Sequence, residues 1–313
     1  MKRSTSWVVN DAGKTPVPRV AARTLRKRLK ATWSELSAAC RPRHDPERVH
    51  RLRVATRRAL AALAAFRDIG PGKQRAWFEK WLRRIRRAAG DTRDLDVLTG
   101  RLQREPAADE GQTHSAQAAR ARQRLVEMLA NRRDVSREPM RQVRERLVAA
   151  DWPGRVERFL EAVAAATTRT SFADYGRQRM RPLLERFFDH AKRTSRTASD
   201  IHRLRIEGKK LRYAIEIFAV VFPPTQRAAC SAALEELQNS LGEFTDHAAA
   251  SDRLRRLSKE KNMAPDRVAL VALRKAEDIR AAEARRAFAK WWKPSRRRQL
   301  RRRIERTLQR KTA

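Results

Sequence analysis

Apolar residues recur at three- and four-residue intervals along most of this chain, and no stretch sustains the every-other-residue alternation of a half-buried strand. The pattern predicts helix throughout, and the fold class is all-α. A first helix is expected over Arg19–Arg41. It ends in "RPRHDPE", where Asp45 is placed to cap a second helix with Pro46 in its first turn. That helix runs to about Asp68, before "IGPG". A third spans about Lys73 to Arg104, kinked near Gly90, and a fourth begins near Gln112, with "RRDVSREP" (Arg132 to Pro139) as a bend or loop. "DWPG" (Asp151 to Gly154) then precedes a connecting helix, Arg155–Ala166.

The pattern starts again at a basic helix, Phe172–Ser195, followed by "TASD" and "IHRLRIEGKKLRY" (Ile201 to Tyr213). His50, Leu52, Arg53 and Phe66 align with His202, Leu204, Arg205 and Phe218 at a constant offset of 152. An independent block keeps that offset: "GDTRD" at Gly90 against "GEFTD" at Gly242, with Leu82 and Ile85 matching Leu234 and Leu237. The chain therefore reads as two copies of one unit of four helices, about 18–151 and 172–294. A polar stretch (1–17), a connecting helix (152–171) and a basic C-terminal tail (295–313) complete it.

The repeat gives its charges a direction. With His202 at zero on a helical wheel, Arg205, Lys209 and Arg212 fall near 300°, 340° and 280°, at about 100° per residue. Leu204, Leu211, Ile215 and Phe218 fall on the opposite side. His50, Arg53 and Arg57 form the same basic face in the first half, with Leu60 where Arg212 stands in the second. Such a ladder rises over about 10–15 Å, which suits several consecutive phosphates; guanidinium groups offer them paired donors, lysine a point charge and histidine one or two N–H groups. A lone arginine on a helix is ordinarily solvated surface, and that reading holds for Arg51, Arg58, Arg203 and Lys210, off the basic line. His44, His114, His190 and His247 have no partner at the offset and receive no role. The pairs Asp91/Asp94 and Glu243/Asp246 also recur, at a spacing that makes neighbours on a helix; they are expected to brace the arginines rather than to hold a metal. Asp96 lacks an acidic counterpart.

Composition narrows the partner. With 74 Lys and Arg against 36 Asp and Glu, the net charge is +38, which points to a polyanion: nucleic acid, an anionic membrane surface or another phosphate polymer. Aromatic residues make up 6% and are not interleaved with the ladder, which disfavours base stacking there. Two distant cysteines, Cys40 and Cys230, match no disulfide or metal framework. No signal-peptide pattern or apolar run of membrane-spanning length is present, so a soluble cytoplasmic protein is expected. "GKT" at Gly13 lacks the first glycine of a phosphate loop, since position 8 is Val8, and no HExxH or GxSxG occurs. No catalytic group, cofactor site or metal site is expected.

The duplicated HxLR[VI]xx[RK][RK] motif, with LG or AG followed by xxxD in each half, resembles the CHAD family of histidine-bearing α-helical domains, over about Pro18 to Pro294. The resemblance implies two four-helix bundles related by a pseudo-twofold axis, sharing a basic cavity or groove that binds inorganic polyphosphate, with association to polyphosphate granules. Carried to this chain, the binding residues are His50, Arg53, Arg57, His202, Arg205, Lys209 and Arg212. Arg23, Arg26, Arg177 and Arg181 of each half's first helix are expected to line the same groove, and Asp94 and Asp246 to support it. Two other functions remain open: a nucleic-acid-binding helical protein, to which the tail "SRRRQLRRRIERTLQRK" is suited, and a metal-dependent phosphohydrolase using the acidic pairs. Oligomeric state is left open.

Overall fold

In the computed structural model, residues 13–104, 113–193 and 197–309 are described. Helices dominate, as expected. The first half holds α1 (Val17–Ala39), α2 (Pro46–Ala65), α3 (Gly72–Ala88), α4 (Gly90–Arg104), α5 (Thr113–Ser136) and α6 (Glu138–Ala149). Then come α7 (Trp152–Ala164), α8 (Phe172–Arg193), α9 (Ala198–Ile217), α10 (Pro224–Leu257), α11 (Arg267–Trp291) and α12 (Pro294–Gln309). The helices α2 and α9 begin and end at positions 152 apart, and α3 and α10 begin so. Their caps keep the offset too: the Asp45 carboxylate accepts from Glu47 N at 2.9 Å, and the Thr197 hydroxyl accepts from Asp200 N at 3.1 Å.

At the kink expected near Gly90 the third helix breaks at Ala89, giving α3 and α4, whereas α10 runs unbroken across Gly242. Two departures from the sequence reading have local causes. The stretch Arg132–Pro139 is almost wholly helical. Only Arg137 interrupts it, because Pro139 at the start of α6 has no N–H to continue the ladder. The buried Arg137 side chain donates to Pro42 O at 2.9 Å and to Arg41 O, tying this break to the α1–α2 connection. Finally, the basic tail is no appendage. As α12 it docks on α8 and α10, burying Leu300, Ile304, Thr307 and Leu308, much as α7 lies along α1.

Burial crosses from one half to the other. The main core draws on α1 to α3 and α6 to α12, while a second core packs Leu95, Leu98 and Leu102 of α4 and Leu125 and Leu129 of α5 against Leu254, Leu257 and Leu270. At the seam Phe66 meets its counterpart Phe218, with ring centroids 6.0 Å apart, and Phe172 and Tyr175 close the cluster. The Tyr175 hydroxyl donates to Ala65 O at 2.9 Å, and Arg179 pairs with Asp68 at 2.6 Å, so α8 is fastened to the end of α2. Cys40 and Cys230 are free thiols. No described helix is long and apolar enough to cross a membrane.

Candidate anion-binding site

Each ladder stands on a helix whose opposite face is locked into the core. Val49, Leu52, Ala59, Ala62 and Leu63 of α2 and Ile201, Leu204, Leu211 and Ile215 of α9 are buried, which leaves the basic faces no freedom to rotate away. The contact between α2 and α9 brings the two ladders together. Arg57 acts repulsively on both Arg205 and Lys209, so a cation of the first half stands beside cations of the second.

The site is half-buried, and its charges are of one sign. Burial, followed by the repulsion of Arg205 and Arg57, pushes the Lys209 ammonium down to about 7, while Asp246 opposes this and Arg212 adds to it. Arg53 and Arg205 are likewise lowered from their ordinary value, mainly by burial. His50 is held below its ordinary value by burial first and then by Arg93, so it takes up its proton at lower pH than an ordinary histidine. Clustered cations losing hydration without enough carboxylates to match them form a site that a bound anion would stabilise.

The two arginines lie against glycines related by the same offset, where a side chain at Gly90 would stand 3.7 Å from Arg53 Nη1 and one at Gly242 3.6 Å from Arg205 Nη2, an ordinary contact. Arg53 reaches the carbonyls of Arg86 and Ala89, both at 3.4 Å, placing a cation on the C-terminal end of α3 where the helix breaks. Arg205 instead faces Asp246, with Nη2 to Oδ1 at 3.8 Å. Its backbone carbonyl accepts from Gln238 Nε2 at 3.2 Å.

Three of the four acidic residues, Asp91, Asp94 and Asp246, face arginines. Asp94 is the main opposing charge on Arg53, as Asp246 is on Arg205. Although Asp94 keeps a solvent-exposed edge, the surrounding protein raises its carboxyl above the ordinary range more than Arg53 and Arg253 lower it. Among the described residues no three His, Cys, Asp or Glu side chains converge into a metal-holding group.

His202 is exposed near the start of α9, one turn before Arg205. Its partner His50 is pressed by Arg93, and the position equivalent to Arg93 is Thr245. Arg26 pairs with Glu157 of α7 at 2.6 Å and the buried Arg177 with Asp174 at 2.7 Å. Arg23 and Arg181 are exposed, and none of these four is among the main charges acting on Arg53, Arg205 or Lys209.

Sequence reasoning missed Arg93, Arg253 and Arg256. Arg253 lies 3.9 Å from Asp91 and, with Arg256, acts on Asp94, bringing α10 cations to the first-half side of the site. A signal existed, because Arg253 and Arg256 align with Arg101 and Arg104 at the same offset. Arg101 serves otherwise: with His247 and Glu277 it ties α4 to α10 and α11 at 2.6–2.7 Å. His44 likewise joins the α1–α2 connection to buried Asp96 at 2.8 Å.

The sequence matches the CHAD domain over residues 23–255. Among solved structures, the CHAD domain from the plant Ricinus communis superposes with a TM-score of 0.72 at 21% identity, covering 96% of this chain and 95% of that one. PptA from Streptomyces chartreusis superposes with a TM-score of 0.56 at 18% identity, covering 89% and 99%. No curated protein matches.

Proposed function

The chain belongs to the CHAD domain family, and from that premise we propose that it binds inorganic polyphosphate, without catalysis, along the cations between α2 and α9. The observation that carries the reading is the meeting of Arg57 with Arg205 and Lys209 across the two halves, half-buried and under-neutralised. A linear phosphate polymer meets that demand, since it presents one anionic unit after another along a line and carries no bulky group that would have to enter the cleft. Arg53, Arg57, Arg205, Lys209 and Arg212 hold phosphate oxygens; Asp94 and Asp246 orient Arg53 and Arg205. Arg93, Arg253 and Arg256 extend the track toward α4 and α10. The neighbouring carboxylates are engaged with arginines, which supports binding over a metal-assisted hydrolysis. The protein acts in the cytoplasm, at polyphosphate granules where these form.

The test is a binding titration with long-chain polyphosphate. Each charge-assisted contact contributes about 1.5–3 kcal/mol, so Arg53→Ala with Arg205→Ala should weaken affinity at least about a hundredfold. The control, Arg298→Ala with Arg302→Ala, removes the same charge from α12 and should leave affinity within about threefold. Equal losses in the two variants would reduce the site to bulk charge and end the proposal.

A further inference from the structure

The helix α12 carries seven arginines and one glutamate in sixteen residues, and it lies beyond the stretch matched by the family. Its apolar stripe is used up by docking, which turns Arg298, Arg302 and Arg306 outward at successive turns, about 6 Å apart. All three are exposed, and none is paired with a carboxylate among the described residues. Beside this row runs a shallow, open groove between α8 and α12, lined by Phe188, Lys192, Pro294, Arg297, Arg298 and Arg301. In the groove Arg301 lies over the buried Phe188 at 5.7 Å, and toward α10, at the start of α12, Arg296 lies over the half-buried Trp291 at 4.5 Å and pairs with Glu236. The sparse aromatics that the sequence kept apart from the ladder are thus brought to arginines on a different face.

We propose that the α8–α12 face binds single-stranded nucleic acid without sequence preference, its phosphates along Arg298, Arg302 and Arg306 and a base in the groove beside Phe188. Charge complementarity selects a polyanion. The ring and guanidinium planes favour one that carries bases, because every base offers a face to stack on. An anionic membrane is the weaker match, since the large apolar residues exposed on the molecule, such as Val135, Val268 and Ile279, include none from α8 or α12. This inference is independent of the polyphosphate reading, because the two sites share no residue.

The experiment measures binding of a fluorescent oligothymidine, an abasic strand of equal length, long-chain polyphosphate and phosphatidylserine vesicles to the full chain. The Arg298→Ala, Arg302→Ala, Arg306→Ala variant should lose at least tenfold in oligothymidine affinity, and the slope of log affinity against log salt should fall by about 2. Its polyphosphate affinity should stay within about threefold of the parent, and the abasic strand should bind the parent more weakly than oligothymidine. The inference is overturned if the triple variant binds oligothymidine like the parent or if the abasic strand binds as well as the base-bearing one. It is also overturned if vesicles, and not the oligonucleotide, depend on these arginines. Loss of oligothymidine binding in the Arg53→Ala, Arg205→Ala variant alone would assign the strand to the α2–α9 groove and equally overturn it.

Discussion

Lys209 concentrates the conflict between stability and binding in one side chain. Its ordinary value is 10.5 and the folded protein holds it at about 7, through burial and through Arg205, Arg57 and Arg212 acting against Asp246. The native state therefore prefers the neutral amine. The unfavourable contribution is present in full below about pH 7, shrinks as pH rises and is gone above 10.5. Lys209→Met should accordingly raise the melting temperature by a few degrees at pH 6, with the gap to the parent closing by about pH 10. A bound polyanion favours the charged form, so affinity should be greatest below about 7 and decline as pH rises, by at most about tenfold per pH unit. Lys209→Arg keeps the charge at every accessible pH and should flatten that decline while retaining affinity. Titrations of the parent and both variants between pH 6 and 9 would check this, and a parent profile as flat as that of Lys209→Arg would remove Lys209 from the contacts. Protonation of His50 should add affinity only below the ordinary histidine range, because burial and Arg93 hold it down.

At the scale of elements, the starts, faces and offset of the helices that present the ladders were readable from the chain, and the docking of α12 was not. Caps, apolar stripe and offset all agreed for α2 and α9, because one exposed basic face and one buried apolar face leave a helix a single orientation. For α12 the arginines mask the signal. Four apolar or small positions, Leu300, Ile304, Thr307 and Leu308, are enough to dock a helix, yet seven arginines around them give the look of an unstructured tail. For the first-helix arginines, the partners Glu157 and Asp174 lie outside the repeated motif, so nothing in the offset showed the ion pairs that Arg26 and Arg177 make. Arg253 and Arg256 keep the offset, but they act in the site only because the unbroken α10 carries them past the break that separates α3 from α4. If α12 belongs to the fold, Ile304→Ala should cost about 2–5 kcal/mol, read as a lower urea midpoint. The outward triple arginine variant should change stability by no more than about 0.5 kcal/mol.

Across the whole molecule, a charge of +38 on 313 residues exceeds what any one groove can use, so the surplus and the site must act on different steps of binding. Exposed cations distributed over α1, α3 and α12 create a long-range field that raises the rate of encounter with any polyanion and is screened beyond about 8–10 Å at physiological salt. The half-buried cluster between α2 and α9 is screened far less and holds the ligand once it has entered. Its geometry is kept by a core that runs through both halves, with Phe66 on Phe218 and Tyr175 fastened to the end of α2, so the two ladders cannot separate without exposing that seam. Rapid-mixing measurements with polyphosphate should divide the two contributions. Removing outward α12 arginines should lower the association rate a few-fold at low salt and leave dissociation unchanged, since those charges touch nothing in the groove. Arg53→Ala with Arg205→Ala should instead accelerate dissociation at least tenfold with association within about threefold of the parent, at both low and high salt. An effect of the groove pair confined to association, and abolished by salt, would mean that the buried cations steer rather than hold, and the cleft between the two ladders would no longer be the seat of binding.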